Sequence, residues 1–422
     1  MQTCKRMHAN RGYMKRFSKV LAISLCLTAA MDAAFAAGTR KTSAKEGIMM
    51  AEAESALFSD GCKVTTVTLL YRKKIEPSSV SADDFEIAGQ TIKSVSVEGR
   101  KVKLSLDCSN RWYPERENGP AQDADSGFSR YVTVTQSGEV TVSGGKEMYV
   151  GPATVTSKKI IDPKVIREFN EKVFKDDETG MELRYCVYLP LYYTEGWNYP
   201  VIVFIPDSRA NTNISKSTLL QGEGATVWAA EAEQEKMRSI IIAVQYPKYV
   251  EDQYGPLVKE DSSWTVGLQT IYNLVRSELT NTRADRNRIY GIGQGDGAAA
   301  NLQIGQKYPS FYAAQLAISP IYAIKDPQAL EREKIWLLVS SKDKQSREAA
   351  ERAATSWKND GVRVNSAVWK VDLSDKEFEK AAQEQADKKG TVKYTMIDGG
   401  CREYTWCIAH RINAIREWIS AQ

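Results

Sequence analysis

The chain has 422 residues, 42% of them hydrophobic and 26% charged, with a formal net charge of +4. That length exceeds what one small core needs and points to two domains, while the apolar and charged shares are ordinary for a globular protein. The excess positive charge is concentrated at the N-terminus. Residues 1–36 hold six basic groups and one acid, Asp32, so the rest of the chain carries about −1, and the electrostatic case for a nucleic-acid partner disappears.

Lys15, Arg16 and Lys19 precede the apolar run from Val20 to Ala30, and A-F-A follows at Ala34 to Ala36. A basic start, a short apolar stretch and a small-x-small site read as a signal peptide over 1–36. The run is too short to span a bilayer comfortably. The expectation is an exported protein, periplasmic or extracellular, without a transmembrane anchor after cleavage. Export permits disulfides. Five cysteines remain, Cys62, Cys108, Cys186, Cys401 and Cys407, and Cys62 with Cys108 is the expected pair because both fall in one predicted β domain.

Residues 37–58 are small and charged and read as a linker. Period two then dominates over 59–160. Val102, Leu104 and Leu106 share one face of V-K-L-S-L, and Tyr131 to Thr135 and Glu139 to Ser143 alternate likewise. Turn residues separate these runs at short intervals, which predicts a β-sandwich. The polar stretch from Asn110 to Gly127 reads as an exposed loop.

Over 161–422 the rhythm changes. Met181 to Pro190 is an amphipathic strand. Tyr199 to Pro206 and Ser239 to Val244 are continuous apolar runs of strand length, the mark of strands buried on both faces. Leu268, Ile271, Val275 and Leu279 follow a helical period. Two more strands, Arg288 to Ile292 and Ile335 to Val339, flank an Ala-rich helix from Ala298, and the chain ends on a helix presenting Ile408, Ile412, Ile415 and Trp418. Strands alternating with helices predict an α/β fold with a mostly parallel sheet covered on both faces.

Between the strand at Arg288 and the helix at Ala298 lies G-I-G-Q-G-D-G, Gly291 to Gly297. In G-x-S-x-G the serine sits on a strained strand-to-helix turn, and small residues two positions either side let that turn close. Gly293 and Gly297 supply those neighbours, which leaves Gly295 at the tip. The spacing and the late position argue against a dinucleotide-binding glycine loop.

The region from about 160 resembles the α/β-hydrolase family of predicted secreted esterases and peptidases related to polyhydroxybutyrate depolymerases. The run R-I-Y-x-x-G-Q-S-M-G-G of that family is matched by Arg288, Ile289, Tyr290, Gly293, Gln294 and Gly297, and broken at Gly295. Gly224 to Ala229, Gln245 to Pro247 and Lys307 to Ala314 also resemble it. The preceding β region resembles the immunoglobulin-like domain that accompanies some of these esterases. The resemblance implies that Asp343, in S-S-K-D, keeps the place of the family's acid. It also implies that Arg402 stands where the histidine is expected, and that Pro206 and Asp207 replace the H-G of the oxyanion loop. A proline has no N–H to offer an oxyanion, and a carboxylate opposes the developing charge.

Composition agrees. The sequence has two histidines, and only His410, inside the last helix, lies beyond residue 36. Serine hydrolysis needs a base within reach of its nucleophile. One histidine without clustered cysteines argues against a metal site, and no cofactor is expected. Cys401 has no nearby histidine to activate it, so a buried thiol or a bridge to Cys407 is expected there.

The reading is therefore a degenerate triad with vestigial positions at Gly295, Asp343 and Arg402. The former cleft would be a binding site built from Asp207, Gln294, Gly295, Asp296 and Arg402 for a small molecule or peptide. The alternative is a hydrolase of esters or amides that works without a serine. Arg402 is expected to pair with Asp343, and the β-sandwich is a candidate surface for homo-oligomers.

Overall fold

The computed structural model describes residues 42–43, 47–109 and 131–422 apart from 146, 195, 211–212, 323–325 and 331–332. The signal peptide expected at 1–36 and the loop expected at 110–127 lie outside the described residues.

Among the described residues the N-terminal region is built of β-strands with two short 3-10 turns, Pro77–Ser79 and Ala82–Asp84. One sheet has five strands in the order Ile160–Ile161, Ile48–Phe58, Gly61–Tyr71, Lys101–Leu106, Ile92–Glu98. A second sheet joins Ala153–Thr156, Thr133–Gln136 and Phe85–Ile87, and a third joins Thr42–Ser43, Met148–Val150 and Glu139–Thr141. Alternation drives the packing: Val102, Leu104 and Leu106 are buried, with Val67, Leu69, Phe85, Ile87, Val134 and Val140 in the same core. The reading of 37–58 as a linker is corrected. Ile48–Phe58 is an eleven-residue strand paired with Gly61–Tyr71, and its alternate residues Ala51 and Ala53 are buried in that core. The expected Cys62–Cys108 bridge is not formed. Cys108 instead directs its thiol at the carbonyls of Val64 and Leu106, both at 3.6 Å.

The rest of the chain builds one nine-stranded sheet. Its strands are β1 (Asn170–Lys175), β2 (Glu182–Tyr188), β3 (Tyr199–Ile205), β4 (Ile240–Val244), β5 (Ala284–Gln294), β6 (Ala314–Ile318), β7 (Lys334–Ser340), β8 (Val364–Lys370) and β9 (Val392–Asp398). The spatial order is β1-β2-β4-β3-β5-β6-β7-β9-β8. β1 and β2 are antiparallel to their neighbours, and every pairing from β4 onward is parallel. The β3 run V-I-V-F-I shows why continuous apolar strands belong here. Val201, Val203 and Ile205 pack on one face with Leu268, Ile271 and Val275 of helix α1 (Val266–Asn281). Ile202 and Phe204 pack on the other face with Ile408, Ile415 and Trp418.

Helix α2 (Asp296–Lys307) follows β5, and α3 (Lys344–Asn359) follows β7. The expected single terminal helix is two, α4 (Arg402–Arg411) and α5 (Asn413–Ser420), broken at Ile412 with ψ 117°. The Glu379 carboxylate accepts the Asn413 and Ala414 N–H groups at 2.6 and 3.0 Å and so caps a new helix start. Among the described residues no helix is long and apolar enough to cross a membrane.

Candidate active site

In a parallel α/β sheet, functional groups gather at the carboxyl ends of the strands, where the chain turns into loops and helices. Asp207 follows β3, Gly295 follows β5, Asp343 follows β7 and Arg402 follows β9, so the sequence-predicted positions share that edge.

The turn from β5 into α2 is a sharp elbow. Gly295 has φ 56° and ψ −120°, and its N–H donates to the Ile318 carbonyl at 2.9 Å. A Cβ on Gly293 would lie 2.5 Å from the Gly297 carbonyl oxygen, and one on Gly297 would lie 2.0 Å from that of Ile205. Both flanking glycines are therefore required for closure. The tip is glycine for a different reason. A Cβ on Gly295 would lie 1.8 Å from Asp207 Oδ2, so the buried Asp207 carboxylate stands directly beside the tip and would have to shift for any side chain there.

Asp296 takes up a second feature of the site. Its Oδ2 accepts the N–H of Ser208 at 3.1 Å, so a donor on the loop after β3 is already occupied by a carboxylate of the chain itself. Burial pushes the Asp296 carboxyl up to about 6, with the neighbouring Asp207 adding to the rise and the Ser208 hydrogen bonds opposing it.

The acid and base positions are tied together. Arg402 Nε donates to Asp343 Oδ2 at 2.6 Å and its Nη2 to Oδ1 at 2.9 Å. Asp343 also accepts the Ser346 N–H at 3.3 Å as the cap of α3. Burial raises the Asp343 carboxyl, but the Arg402 hydrogen bond and charge, with Ser346, outweigh it and hold the group below the usual range. Ser340 Oγ donates to the Gly399 and Gly400 carbonyls at 2.9 and 2.6 Å, and Ser341 Oγ accepts the Gly399 N–H at 2.8 Å. These bonds fix the loop carrying Arg402 to the turn carrying Asp343.

Gln294 does not join the other predicted binding residues in facing the elbow's open side. Its Nε2 donates to Gln221 Oε1 at 2.6 Å, and its Oε1 meets His410 Nε2 at 2.9 Å. Both ends of the amide are used, so Gln294 braces the turn from beneath. Gln221, which sequence reading did not single out, also accepts the Asp207 N–H at 3.0 Å. It links the two loops that converge on Gly295. His410 is a packed core residue 3% exposed, edge-on to Phe204, and burial lowers its pKa to about 3.

Cys401 and Cys407 are not activated thiols. Burial pushes Cys401 up to about 11 and Cys407 higher still, and the Cys407 thiol donates to the Ser59 carbonyl at 3.3 Å instead of bridging Cys401. Among the described residues no group of three or more His, Cys, Asp or Glu side chains is arranged to hold a metal.

Among solved structures the chain resembles a thermostable esterase with a TM-score of 0.63 and 19% identity, over 88% of this chain and 99% of that one. At that identity the likeness is one of fold. The shared portion is larger than the nine-stranded sheet and its helices, so it takes in N-terminal strands as well. An enterobactin esterase from Shigella flexneri matches at TM-score 0.40 and 9% identity over 88% of this chain and 97% of that one. A ferulic acid esterase from Anaeromyces mucronatus matches at 0.39 and 13% over 59% and 89%. These two diverge too far in shape to inform any position. No protein-family profile and no curated protein matches the chain.

Proposed function

We propose that this esterase-fold chain is a non-catalytic binding protein, a pseudoenzyme that keeps the architecture of the site and has lost its chemistry. The observation that carries the reading is Asp207 Oδ2 lying 1.8 Å from where a Cβ on Gly295 would be. A side chain at the elbow tip would require this carboxylate to give up its place. Two further features support it. The guanidinium paired with Asp343 is permanently protonated and cannot act as a general base. The Ser208 N–H, on the loop that would help stabilise an oxyanion, already serves the Asp296 carboxylate.

In this reading the ligand is a small molecule or peptide contacted by Asp207, Asp296 and Arg402 around Gly295. The chain is exported by its N-terminal leader, and the N-terminal sheets form an immunoglobulin-like sandwich that is a candidate surface for self-association.

The test is hydrolysis of short-chain and medium-chain nitrophenyl esters by the wild type and by the triple variant Asp207→Gly, Gly295→Ser, Arg402→His. No wild-type turnover, with activity in the triple variant, supports a retained cleft that lacks only its reacting groups. Wild-type turnover that is abolished by Asp296→Asn would sink the reading and establish a serine-independent hydrolase.

A further inference from the structure

The N-terminal hairpin of Ile48–Phe58 and Gly61–Tyr71 turns at Ser59 and Asp60. A hairpin tip is ordinarily among the most exposed parts of a chain, yet here Asp60 and Gly61 are buried. Leu57 and Cys62 pack against the core of the nine-stranded sheet, in the cluster that holds Leu219 and Leu220. Lys63 Nζ meets Asp60 Oδ2 at 2.6 Å, with side-chain exposures of 5% and 1%, and also donates to the Cys108 and Ser109 carbonyls at 3.1 and 2.8 Å. A buried ion pair with these added hydrogen bonds keeps the turn in one shape.

The tip grips the loop that carries Gln221. The Cys62 N–H donates to the Leu220 carbonyl at 2.8 Å, and a Cβ on Gly222 would lie 2.8 Å from the Ser59 carbonyl oxygen. The hairpin therefore touches this loop on both sides of Gln221. A Cβ on Gly224 would lie 2.2 Å from the Phe204 ring and 3.2 Å from His410 Nε2. The loop is clamped between the hairpin and the body of the sheet, with no slack on either side.

Two routes lead from the tip to the elbow. In the first, Gln221 Oε1 accepts both the Asp207 N–H and Gln294 Nε2, at 3.0 and 2.6 Å. In the second, the Cys407 thiol of α4 donates to the Ser59 carbonyl at 3.3 Å, and His410, one turn further along α4, meets Gln294 Oε1 at 2.9 Å. Both end on Gln294, the residue before the elbow tip.

We infer that the hairpin tip from Phe58 to Cys62 is a positioning element of the elbow site, setting Asp207 and Gln294 through Gln221 and through α4. The N-terminal strands are then a working part of the site and not an appendage to it. The inference concerns the free chain and stands whether the site binds or reacts.

The test is amide hydrogen exchange of the full chain at Cys62, Asp207 and Gly295, measured relative to Ile202 and Leu337 in the middle of the sheet, with titration of the Asp296 carboxyl by carbon NMR. Gly222→Ala drives a methyl group at the Ser59 carbonyl, and Asp60→Asn weakens the pair with Lys63 without adding bulk. Each should speed exchange at all three amides about tenfold, the effect of losing about one hydrogen bond from the local opening equilibrium. Asp296 is raised by burial and then by Asp207, so it should titrate at lower pH once Asp207 is no longer held beside the elbow. Val102→Ala, which opens a cavity in the N-terminal core away from the tip, should leave the relative rates and the titration as in the wild type. Faster exchange at Cys62 alone, with Asp207, Gly295 and the Asp296 titration unmoved, overturns the inference. So does a Val102→Ala variant that reproduces the hairpin variants. Where Gly222→Ala does not fold, Asp60→Asn decides by the same outcomes.

Discussion

The guanidinium of Arg402 meets the Asp343 carboxylate as a two-point fork, with side-chain exposures of 22% and 6%. The acid position of the site therefore serves a cation that cannot give up its proton, and no imidazole stands between it and the elbow. Such a pair is well satisfied as it stands and costly to break on one side only. Arg402→Ala should lower stability by about 2–4 kcal/mol, because it leaves a buried carboxylate unpaired. Arg402→Lys should restore only part of this, since a point charge cannot reproduce the fork. Arg402→Met combined with Asp343→Asn, which keeps an acceptor for the Ser346 N–H, should recover most of it. The Asp343 carboxyl is held below its ordinary 3.8, so the contribution is present above that pH and is lost as pH falls through the folded value. Urea denaturation of the three variants across acid pH checks both statements.

The elbow tip gives a second expectation. Gly295 occupies a backbone region that costs other residues about 1–3 kcal/mol, and a Cβ there would also meet Asp207. Gly295→Ala should be destabilising by more than the backbone strain alone. In an Asp207→Gly background the same substitution should cost only the strain, with a coupling of about 1–3 kcal/mol in the double-mutant cycle. Additive effects would mean that the Asp207 side chain moves aside freely and does not define the site.

Much of this was legible in the sequence because the signals were local. Continuous apolar runs gave β3 and β4, the two flanking glycines framed the elbow, and the family resemblance, by placing Asp343 at the acid's position and Arg402 at the histidine's, led to the expected pair. What was missed was non-local or ambiguous. β1 and β8 are half-exposed edge strands without a buried apolar run. The break at Ile412 depends on Glu379, which caps Asn413 from 34 residues earlier in the chain. The network from Gln221 through Gln294 to His410 crosses 73 and then 116 residues, and leaves no spacing to read. Asp207 was legible as a wrong residue for an oxyanion loop, but not as the occupant of the space above Gly295.

His410 gives the chain an acid sensitivity with a defined sign. Its pKa falls from 6.5 to about 3, first through burial and then through Arg416. Between those values the unfolded state holds a proton that the folded state does not, so stability falls as pH drops from 6.5 towards 3. The slope is at most about 1.4 kcal/mol per pH unit. His410→Gln should remove this slope relative to the wild type, whatever it costs in packing at neutral pH. An unchanged pH profile in that variant would show that the ring is accessible to protons in the folded state.

Asp296 acts in the opposite direction. Its carboxyl is raised from 3.8 to about 6, chiefly by burial and then by Asp207. The folded state therefore keeps a proton that the unfolded chain has released. Its contribution is fully present below 3.8 and is lost as pH rises through 6. At pH 8 the wild type holds the Asp296 carboxylate charged in a buried site, while an asparagine could still accept the Ser208 N–H. Asp296→Asn should then raise stability at pH 8 by about 1–3 kcal/mol, with the gain vanishing by about pH 4. Thermal unfolding at the two pH values decides the matter. A variant less stable at pH 8 would mean that the Asp296 charge is compensated at the elbow, and that the acidic pair is a settled part of the site.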